Sequence, residues 1–367
     1  MTTATVALLK EPGEDLVLED VQIDQPGEGE VLVRIKGVGI CHTDITAAQG
    51  MVPLPLPSVL GHEGSGVIEA VGEGVTNVAP GDHVVLSFDH CGDCQLCQAG
   101  RPAYCELFAP LNYFGTRMDG TATMSQHGEE VHGSFFGQSS FGTYALASAR
   151  NTVKVPSDLP IEILGPLGCG LQTGAGTVMN VLEPRPGDSI AIFGMGGVGL
   201  SGVMAAKALD CGVIIAIDLN DDRLELATEL GATHTINPSR TKDVEWAVQE
   251  AAAPGVHCCL EAVGAQATIA LSVKILRSPG ITATVGFGGL EHEVTIDQGH
   301  LLLGRTLTGV IEGDADPQTF IPQMIELHEQ GKFPFEKLIK TFPFAQINEA
   351  IAASEAGEVV KPVLVFD

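Results

Sequence analysis

The chain has 367 residues, which at about 150 residues per domain predicts roughly two domains. Its 46 acidic and 19 basic residues give a net charge of −27, which disfavours binding to nucleic acid or to anionic lipid. Hydrophobic residues make up 44% of the chain, but no apolar run approaches the roughly 20 residues that a membrane helix needs. The first residues lack the basic flank and apolar core of a secretory signal. We therefore expect a soluble, acidic, cytoplasmic protein that binds neither nucleic acid nor membranes.

The N-terminal part of the chain has the pattern of a β domain. Apolar, β-branched runs bounded by turn residues occur as VLVRIKGVGI, GSGVIEAVG and GDHVVLSF. They predict a largely β, barrel-like domain over residues 1 to about 150. The stretch from Leu107 to Ser140 is rich in Gly, Phe and polar residues and lacks periodicity, so we interpret it as long loops lining a surface or cleft.

Nine cysteines, an odd number, argue against a disulfide framework. Four of them lie within fifteen residues, in the segment CGDCQLCQAGRPAYC. Zn²⁺ binds four such thiolates tetrahedrally, and a closed set of four leaves no position for a substrate. We expect a structural zinc site here, and the alternative is a reduced Cys-rich loop. Its ligands would be Cys91, Cys94, Cys97 and Cys105.

A second candidate site combines residues from three distant segments. Cys41 lies in GICHTD, His62 in VLGHEGSGVI and Cys169 in PLGCGLQTGAG. One His and two Cys form a three-ligand set with an open fourth position, which is typical of a catalytic zinc site. A zinc-bound His usually donates its other N–H to a carboxylate, and Asp44 is a candidate for that role. Taken singly, each Cys is more often a buried hydrophobe and the His a core residue.

From about residue 171 strands and helices alternate, which predicts a parallel sheet. The segment SIAIFGMGGVGLSGVMAAKALDCGVIIAID has the order strand, Gly loop, helix, strand, and VHCCLEAVG and ITATVGFGG add two strands. The last 55 or so residues hold a helix and short strands that are compatible with a return to the first domain.

The loop GMGGVG is a candidate dinucleotide-binding site, since a strand precedes it and a helix follows it. Without side chains at Gly194 and Gly196 the backbone can approach a pyrophosphate, and Gly199 permits close helix–strand packing. Asp218 can accept hydrogen bonds from the adenosine ribose and would repel a 2′-phosphate, which favours NAD over NADP. Arg223 could instead tolerate a phosphate. The alternative for the loop is a Gly-rich turn without a ligand.

Together, GICHTD, GHEGSG, CGDCQLC…C, LGCGLQTGAG and FGMGGVG…IAID resemble the zinc-dependent medium-chain alcohol dehydrogenases over nearly the whole chain. FFGQSSFGTYAL and CHT look most like the aryl (benzyl) alcohol dehydrogenase branch of that family. The resemblance implies an α/β fold. A doubly wound parallel Rossmann sheet would form the NAD-binding coenzyme domain at 171–311. A GroES-like β-barrel would form the zinc-binding catalytic domain at 1–170 and 312–367.

The resemblance implies oxidation of primary alcohols to aldehydes, and the reverse, by hydride transfer between substrate and NAD. It also implies two Zn²⁺ per chain, with the catalytic zinc on Cys41, His62 and Cys169 and the structural zinc on the four clustered cysteines. Glu63 matches a carboxylate near the catalytic zinc, and Thr43 matches the hydroxyl that starts the proton relay.

The resemblance also places residues at the cofactor. Thr173 matches the residue beside the nicotinamide, and His42 and Lys361 match cations on the pyrophosphate. The cofactor loop would comprise Gly194, Gly196, Gly197, Val198 and Gly199, with Asp218 and Arg223 at the adenosine.

The sequence departs from some family members at two positions. Thr46 stands where they carry a His that ends the proton relay. The proton would then leave from Thr43 through the nicotinamide ribose to water, or to another group such as His42, which we count with Thr43, Glu63 and Asp44 among the candidate catalytic residues. Ser87 stands where they carry a bulky Phe, which would widen the substrate cleft. Phe135, Phe136 and Phe287 would bring aromatic surface to it, and this favours benzylic or allylic alcohols. The alternative is that these three are ordinary core residues.

The sequence is also compatible with three other functions. Glutathione-dependent formaldehyde dehydrogenases share both zinc sites and need an anion-binding residue, for which Arg101 and Arg117 are candidates. A terpenoid dehydrogenase of the geraniol type is a variant of the main interpretation. A non-catalytic NAD- or zinc-binding protein is disfavoured because the ligand set and Thr43 are present. Relatives associate through coenzyme-domain strands such as the one near Val285, so we expect a homodimer or homotetramer.

Overall fold

The computed structural model describes residues 1–289 and 292–367. Its strands are β1 Thr2–Leu9, β2 Val17–Ile23, β3 Glu30–Gly39, β4 Ser58–Val59, β5 Glu63–Val71, β6 His83–Leu86, β7 Met124–Gln126, β8 Glu129–Val131, β9 Tyr144–Ser148, β10 Thr152–Lys154, β11 Ser189–Phe193, β12 Val213–Ile217, β13 His234–Ile236, β14 Val256–Glu261, β15 Leu276–Thr284, β16 Arg305–Gly309, β17 Ile339–Pro343 and β18 Lys361–Val365.

Its α-helices are α1 His42–Ala48, α2 Gln95–Gln98, α3 Phe108–Tyr113, α4 Gly170–Gly176, α5 Gly197–Ala208, α6 Asp221–Leu230, α7 Val244–Ala251, α8 Gln266–Lys274, α9 Gln298–Leu302, α10 Pro317–Glu329 and α11 Ile347–Glu355. Shorter 3₁₀ segments lie at Pro102–Tyr104, Phe135–Gly137, Ala149–Asn151, Ile161–Ile163, Gly165–Gly168, Glu312–Asp314, Phe335–Leu338 and Phe344–Gln346, and a π-helical segment lies at Thr177–Leu182. Among the described residues, no helix combines the length and apolar character that crossing a bilayer requires.

The chain divides into two compact units. Unit 1 comprises residues 1–170, 316–322 and 336–367, and unit 2 comprises residues 171–315 and 323–335. The predicted domains share the boundary at 170 but differ at the second crossing, where 312–315 and 323–335 belong to unit 2. For 312–315 the cause is local: Asn180 Nδ2 donates to the Gly313 carbonyl oxygen at 3.1 Å, and Gln172 Nε2 donates to Glu312 Oε2 at 3.2 Å.

Unit 1 is built from two β-sheets, with strand orders β4-β1-β2-β7-β8 and β10-β6-β5-β3-β18-β17, and β9 also pairs with β3. The three predicted β runs fall in β3, β5 and β6. Val33 and Ile35 of β3 are buried while Arg34 and Lys36 are partly exposed, as expected when successive side chains of a strand point to opposite faces. This confirms the expected β domain.

The stretch from Leu107 to Ser140 is more structured than predicted, since it contains α3 and the hairpin of β7 and β8. The hairpin turns at His127 (φ 53°) and Gly128 (φ 89°), a pair of positive φ values that suits a tight two-residue connection. These elements are three to six residues long, too short for a periodic pattern to reveal them.

Unit 2 contains one six-stranded parallel sheet of order β13-β12-β11-β14-β15-β16. The chain builds outward from β11 in one direction and then in the other, which is the doubly wound arrangement. Ala191, Phe193, Ile215, Ile217 and Val248 are buried in its core. The predicted α/β fold class is thereby confirmed.

A close backbone approach makes Gly66 a sensitive position of unit 1. A Cβ atom there would lie 2.2 Å from the Arg34 carbonyl oxygen, whereas a Cβ at Gly309 would meet nothing within 4 Å. We predict that Gly66→Ala lowers the free energy of unfolding by about 2 kcal/mol through overpacking. The control Gly309→Ala should change it by less than about 0.5 kcal/mol. Calorimetric melting checks both, and equal melting temperatures for the two variants would contradict the packing argument.

Candidate active site

The four-cysteine segment of unit 1 forms a closed sulfur cluster. The Sγ atoms of Cys91, Cys94, Cys97 and Cys105 all lie within 4.8 Å of one another. The Cys91 and Cys97 sulfurs are 3.9 Å apart, close to the roughly 3.8 Å expected when four thiolates surround Zn²⁺ tetrahedrally at about 2.3 Å. Backbone N–H groups of Glu106 and Cys97 lower the pKa of the Cys94 thiol to about 6. The donor set therefore fits a structural zinc ion.

A second cluster of donors also lies in unit 1. Cys41 immediately precedes α1, His62 precedes β5 and Cys169 precedes α4. Their donor atoms lie within 4.8 Å of one another, with His62 and Cys169 buried and Cys41 half-buried. Two soft sulfurs and one imidazole suit Zn²⁺, and three donors leave a coordination position for a substrate.

The imidazole of His62 is oriented for metal binding. Its Nδ1 lies 2.8 Å from Asp44 Oδ1, while its buried Nε2 has no hydrogen-bond partner. The Asp44 carboxylate favours a proton on Nδ1, and this tautomer leaves the Nε2 lone pair to a metal. Burial works to lower the pKa of His62, but the charge and hydrogen bond of Asp44 raise it well above its ordinary value. A metal at Nε2 would displace the proton that otherwise binds there.

Asp44 connects two of the ligand segments. It is 1% exposed, and besides His62 it accepts hydrogen bonds from the backbone N–H of Cys41 at 3.0 Å and of Gly61 at 3.1 Å. One carboxylate thus fixes the positions of Cys41 and His62 relative to each other.

Glu63 and Lys361 form a buried ion pair next to this cluster. Lys361 Nζ lies 2.9 Å and 3.0 Å from the two Glu63 carboxylate oxygens and donates to the Ile40 carbonyl oxygen at 3.2 Å. Glu63 Oε1 also accepts from the N–H of Gly170 at 3.0 Å. Burial raises the pKa of Glu63 although Lys361 opposes it. The sequence analysis expected Lys361 on a pyrophosphate. In the described structure the ammonium group donates to these three oxygens, a pairing that a buried cation needs, and the expected contact with a pyrophosphate stays a prediction.

The predicted proton-relay residue stands beside the cluster. Thr43 Oγ1 lies 3.8 Å from Cys41 Sγ, and the Thr46 hydroxyl donates to the Thr43 carbonyl oxygen at 3.0 Å. Thr46 is buried, whereas His42 is the exposed first residue of α1. The Thr43 hydroxyl therefore lies near the donor atoms, whereas the Thr46 hydroxyl is bonded within the helix.

Aromatic rings surround His62 within unit 1. The Phe136 ring stacks on the imidazole with centroids 4.4 Å apart, and the Phe135 ring meets it edge-on at 5.6 Å. Tyr113 contacts Phe136 at 5.4 Å. Phe136 has φ 51°, an uncommon backbone conformation for a bulky residue. Phe287 is 48% exposed and belongs to unit 2.

Two buried amides hold this aromatic segment, and the sequence analysis missed both. Gln138 Nε2 donates to the carbonyl oxygens of His62 and Ser87 at 2.9 Å and 3.0 Å. Asn151 Nδ2 donates to the carbonyl oxygens of Ser87 and Phe136 at 3.1 Å and 3.2 Å. The Ser87 hydroxyl donates to the Gly168 carbonyl oxygen at 2.6 Å, next to Cys169. Polar residues in a Gly-rich loop gave no signal of this role.

In unit 2 the glycine loop follows β11 and leads into α5, which begins at Gly197 and continues through Val198. A Cβ at Gly196 would meet nothing within 4 Å, so the backbone there is open to a ligand. A Cβ at Gly199 would lie 1.7 Å from the Gly194 carbonyl oxygen, so only glycine permits this packing. The N-terminus of α5 offers N–H groups and a partial positive charge to an anion.

Asp218 follows β12 and contacts the glycine loop. Its Oδ2 accepts from the N–H of Met195 at 2.5 Å and its Oδ1 from the N–H of Asn220 at 2.8 Å. Each oxygen keeps a further lone pair for a ribose hydroxyl. Arg223 lies in the first turn of α6, and Thr173 lies in α4, where its carbonyl oxygen accepts from Thr177 at 2.6 Å.

We predict that Asp44→Asn weakens zinc binding by the three-donor cluster about 10- to 100-fold, because the amide loses the charge that supports His62. Zinc per chain after dialysis against a competing chelator should fall from two towards one. The exposed Asp15→Asn variant serves as the control and should keep both ions. Retention of both ions by Asp44→Asn at the same chelator concentration would contradict the prediction.

Comparison with known proteins agrees with this geometry. Residues 27–157 match the model of the alcohol dehydrogenase GroES-like domain, and residues 197–330 match that of the zinc-binding dehydrogenases. A geraniol dehydrogenase of Castellaniella defragrans is 47% identical over 99% of this chain and 98% of its own. These matches confirm the resemblance found in the motifs.

Two solved structures extend the comparison. The benzyl alcohol dehydrogenase of Acinetobacter calcoaceticus superimposes with a TM-score of 0.96 at 44% identity, covering 100% of both chains. An alcohol dehydrogenase of E. coli CFT073 complexed with NADH has a TM-score of 0.82 at 26% identity, again covering 100% of both chains. On this combined agreement of motifs, fold and relatives, the chain belongs to the zinc-dependent medium-chain alcohol dehydrogenase family.

Proposed function

We propose that this protein oxidises aromatic and allylic primary alcohols, such as benzyl alcohol, cinnamyl alcohol or geraniol, and reduces the corresponding aldehydes. The observation that carries the proposal is the ring of Phe136 stacked on His62, with Phe135 edge-on to the same imidazole. Both rings are almost fully buried, and they make the surroundings of the donor cluster flat and apolar. Such a surface favours a planar unsaturated substrate over a small polar alcohol. The relatives named for geraniol and for benzyl alcohol support the same class.

Zinc at the three-donor cluster, when bound, would lower the pKa of an alcohol hydroxyl, and NAD would accept the hydride. Cys41, His62 and Cys169 would hold the metal and leave one position open. Asp44 keeps the His62 proton on Nδ1 and so keeps Nε2 directed at the sulfurs. Thr43 would receive the proton that the hydroxyl loses, since its Oγ1 lies next to Cys41. Thr46 cannot act as a base near neutral pH, so Thr43 would pass its own hydroxyl proton on to water as it accepts this one.

The cofactor would be bound by unit 2. The open backbone at Gly196 and the N-terminus of α5 would receive the pyrophosphate, and Asp218 would accept from the ribose hydroxyls. Because a carboxylate at this place repels a 2′-phosphate, we propose NAD over NADP. Lys361 donates a hydrogen bond to Glu63, and we propose that it neutralises this carboxylate next to the metal cluster rather than the phosphates.

The contacts of two arginines bear on the formaldehyde dehydrogenase alternative. Arg117 donates from Nε to Glu30 at 2.6 Å and from Nη1 to Asp24 at 3.1 Å, so carboxylates already neutralise it. The Arg101 guanidinium lies 4.6 Å above the ring of Tyr104. Neither arrangement favours capture of an anionic thiol adduct.

We also propose a homodimer or homotetramer formed through the outer strand of the unit 2 sheet. β16 ends that sheet, and Leu302 and Leu303 before it are 77% and 60% exposed. Exposed leucines beside an edge strand favour pairing with a second copy of the chain.

The substrate class is tested by NADH formation at 340 nm across a panel of benzyl alcohol, cinnamyl alcohol, geraniol, ethanol and the glutathione–formaldehyde adduct. We predict that the first three exceed ethanol by at least about a hundredfold in kcat/KM. Phe136→Leu should reduce that ratio several-fold, because the stacked ring is lost. Phe141→Leu removes an equally buried ring from the same loop and should leave the ratio unchanged. Preference for the adduct, or an unchanged ratio in Phe136→Leu, would contradict the proposal.

Cofactor choice has its own test at Asp218. We predict that Asp218→Gly shifts the NAD to NADP ratio of kcat/KM towards NADP by at least about tenfold, because the repulsion of the 2′-phosphate is removed. Steady-state kinetics with both cofactors measures this, and Asp222→Gly, at an exposed acidic position of α6, is the control. An unchanged ratio in Asp218→Gly would show that this carboxylate does not select the cofactor.

A further inference from the structure

Glu261 lies at the point of the unit 2 sheet where a ligand is expected. β11 and β14 are the neighbouring strands at which the strand order reverses, and open α/β sheets bind ligands outside the carboxyl ends of such strands. Glu261 is the last residue of β14 and pairs in register with Phe193, directly before the glycine loop. The sequence analysis placed it in the strand run VHCCLEAVG and gave its side chain no role.

The carboxylate of Glu261 is fully buried, with 0% exposure. A buried carboxylate is costly unless hydrogen bonds compensate it. Its Oε1 accepts from the N–H groups of Val263 and Gly264 at 3.0 Å and 2.9 Å and from the Thr268 hydroxyl at 2.8 Å. Its Oε2 accepts from the Thr284 hydroxyl at 2.9 Å and again from Gly264 at 3.2 Å. One side chain therefore joins the loop after β14, the first turn of α8 and the end of β15.

The loop that Glu261 holds packs directly against the glycine loop. A Cβ at Gly194 would lie 3.0 Å from Val263 Cγ2 and 3.3 Å from the Ala262 carbonyl oxygen. On its other side, a Cβ at Gly286 would lie 2.2 Å from the Gly264 nitrogen. Because the packing is this close, a shift of Val263 and Gly264 would also displace the glycine loop. The Val263 side chain is nevertheless 46% exposed and presents apolar surface at this edge.

We propose that Glu261 is a positioning residue for the dinucleotide: it fixes Val263 and Gly264 so that they and the glycine loop together form the cofactor-binding surface. Glu261 acts through these neighbours, because both of its oxygens are already occupied and buried. The inference rests on the proposed role of the glycine loop in binding NAD. It adds a determinant of cofactor affinity that lies outside the loop itself.

The test is NADH binding to the purified, zinc-loaded enzyme, followed by fluorescence. Glu261→Gln keeps the size of the side chain but replaces one acceptor by an NH₂ group that faces the Gly264 N–H. We expect the Kd of NADH to rise about tenfold, and KM for NAD to rise with it. The value of kcat at saturating NAD should stay within twofold, since zinc and Thr43 are untouched. A merely structural defect would instead reduce the folded fraction and kcat while leaving the Kd unchanged.

A milder pair of variants keeps the test decisive where Glu261→Gln fails to fold. Thr284→Val removes the hydroxyl that donates to Oε2 and should weaken NADH binding several-fold, whereas Thr284→Ser keeps the donor and should bind as the wild type does. An unchanged Kd in folded Glu261→Gln, or in Thr284→Val, overturns the proposal. Wild-type enzyme that binds no NADH would instead refute the proposed function, so the two failures are distinguishable.

Discussion

The metal-binding geometry of unit 1 depends on one buried carboxylate, Asp44, and on the hydrogen bonds that extend from it. Asp44 ties Cys41 to His62, since it accepts from the backbone of one and the imidazole of the other. The third ligand is connected through its neighbours: Glu63 accepts from Gly170, and the Ser87 hydroxyl donates to Gly168. Three segments far apart in the chain thus bring their donor atoms together. Residues that hydrogen-bond to the ligands, or to the neighbours of the ligands, hold them in place, as is common at metal sites in proteins.

Features with a local spacing were predictable from the sequence, and features made by long-range packing were not. The four clustered cysteines and the glycine loop are recognisable because their chemistry needs residues a few positions apart. The strands β3, β5, β6, β14 and β15 were visible as apolar runs for the same reason. The pairing of Glu63 with Lys361, 298 positions later, has no local signal in the sequence.

The aromatic surroundings of His62 illustrate a second limit of sequence reasoning. Composition indicates that phenylalanines lie in the loop, but not that Phe136 adopts a positive φ and stacks on the imidazole. In this conformation the Phe136 carbonyl oxygen accepts a hydrogen bond from Asn151, which lies in a different segment. Glu261 in unit 2 is comparable, since a glutamate at the end of an apolar strand predicts nothing about the five hydrogen bonds that it accepts. In both units, buried polar side chains outside the recognised motifs hold the motifs in place.

The central claim is that Cys41, His62 and Cys169 form an open zinc site separate from the closed site of four cysteines. Anomalous diffraction above the zinc absorption edge, on crystals of the purified enzyme, tests it most directly. The account predicts two peaks per chain, one surrounded by four sulfurs and one bound by two sulfurs and His62 Nε2. The fourth ligand of the second ion should be water or an added alcohol. A single peak, or a protein side chain closing that fourth position, would contradict the account.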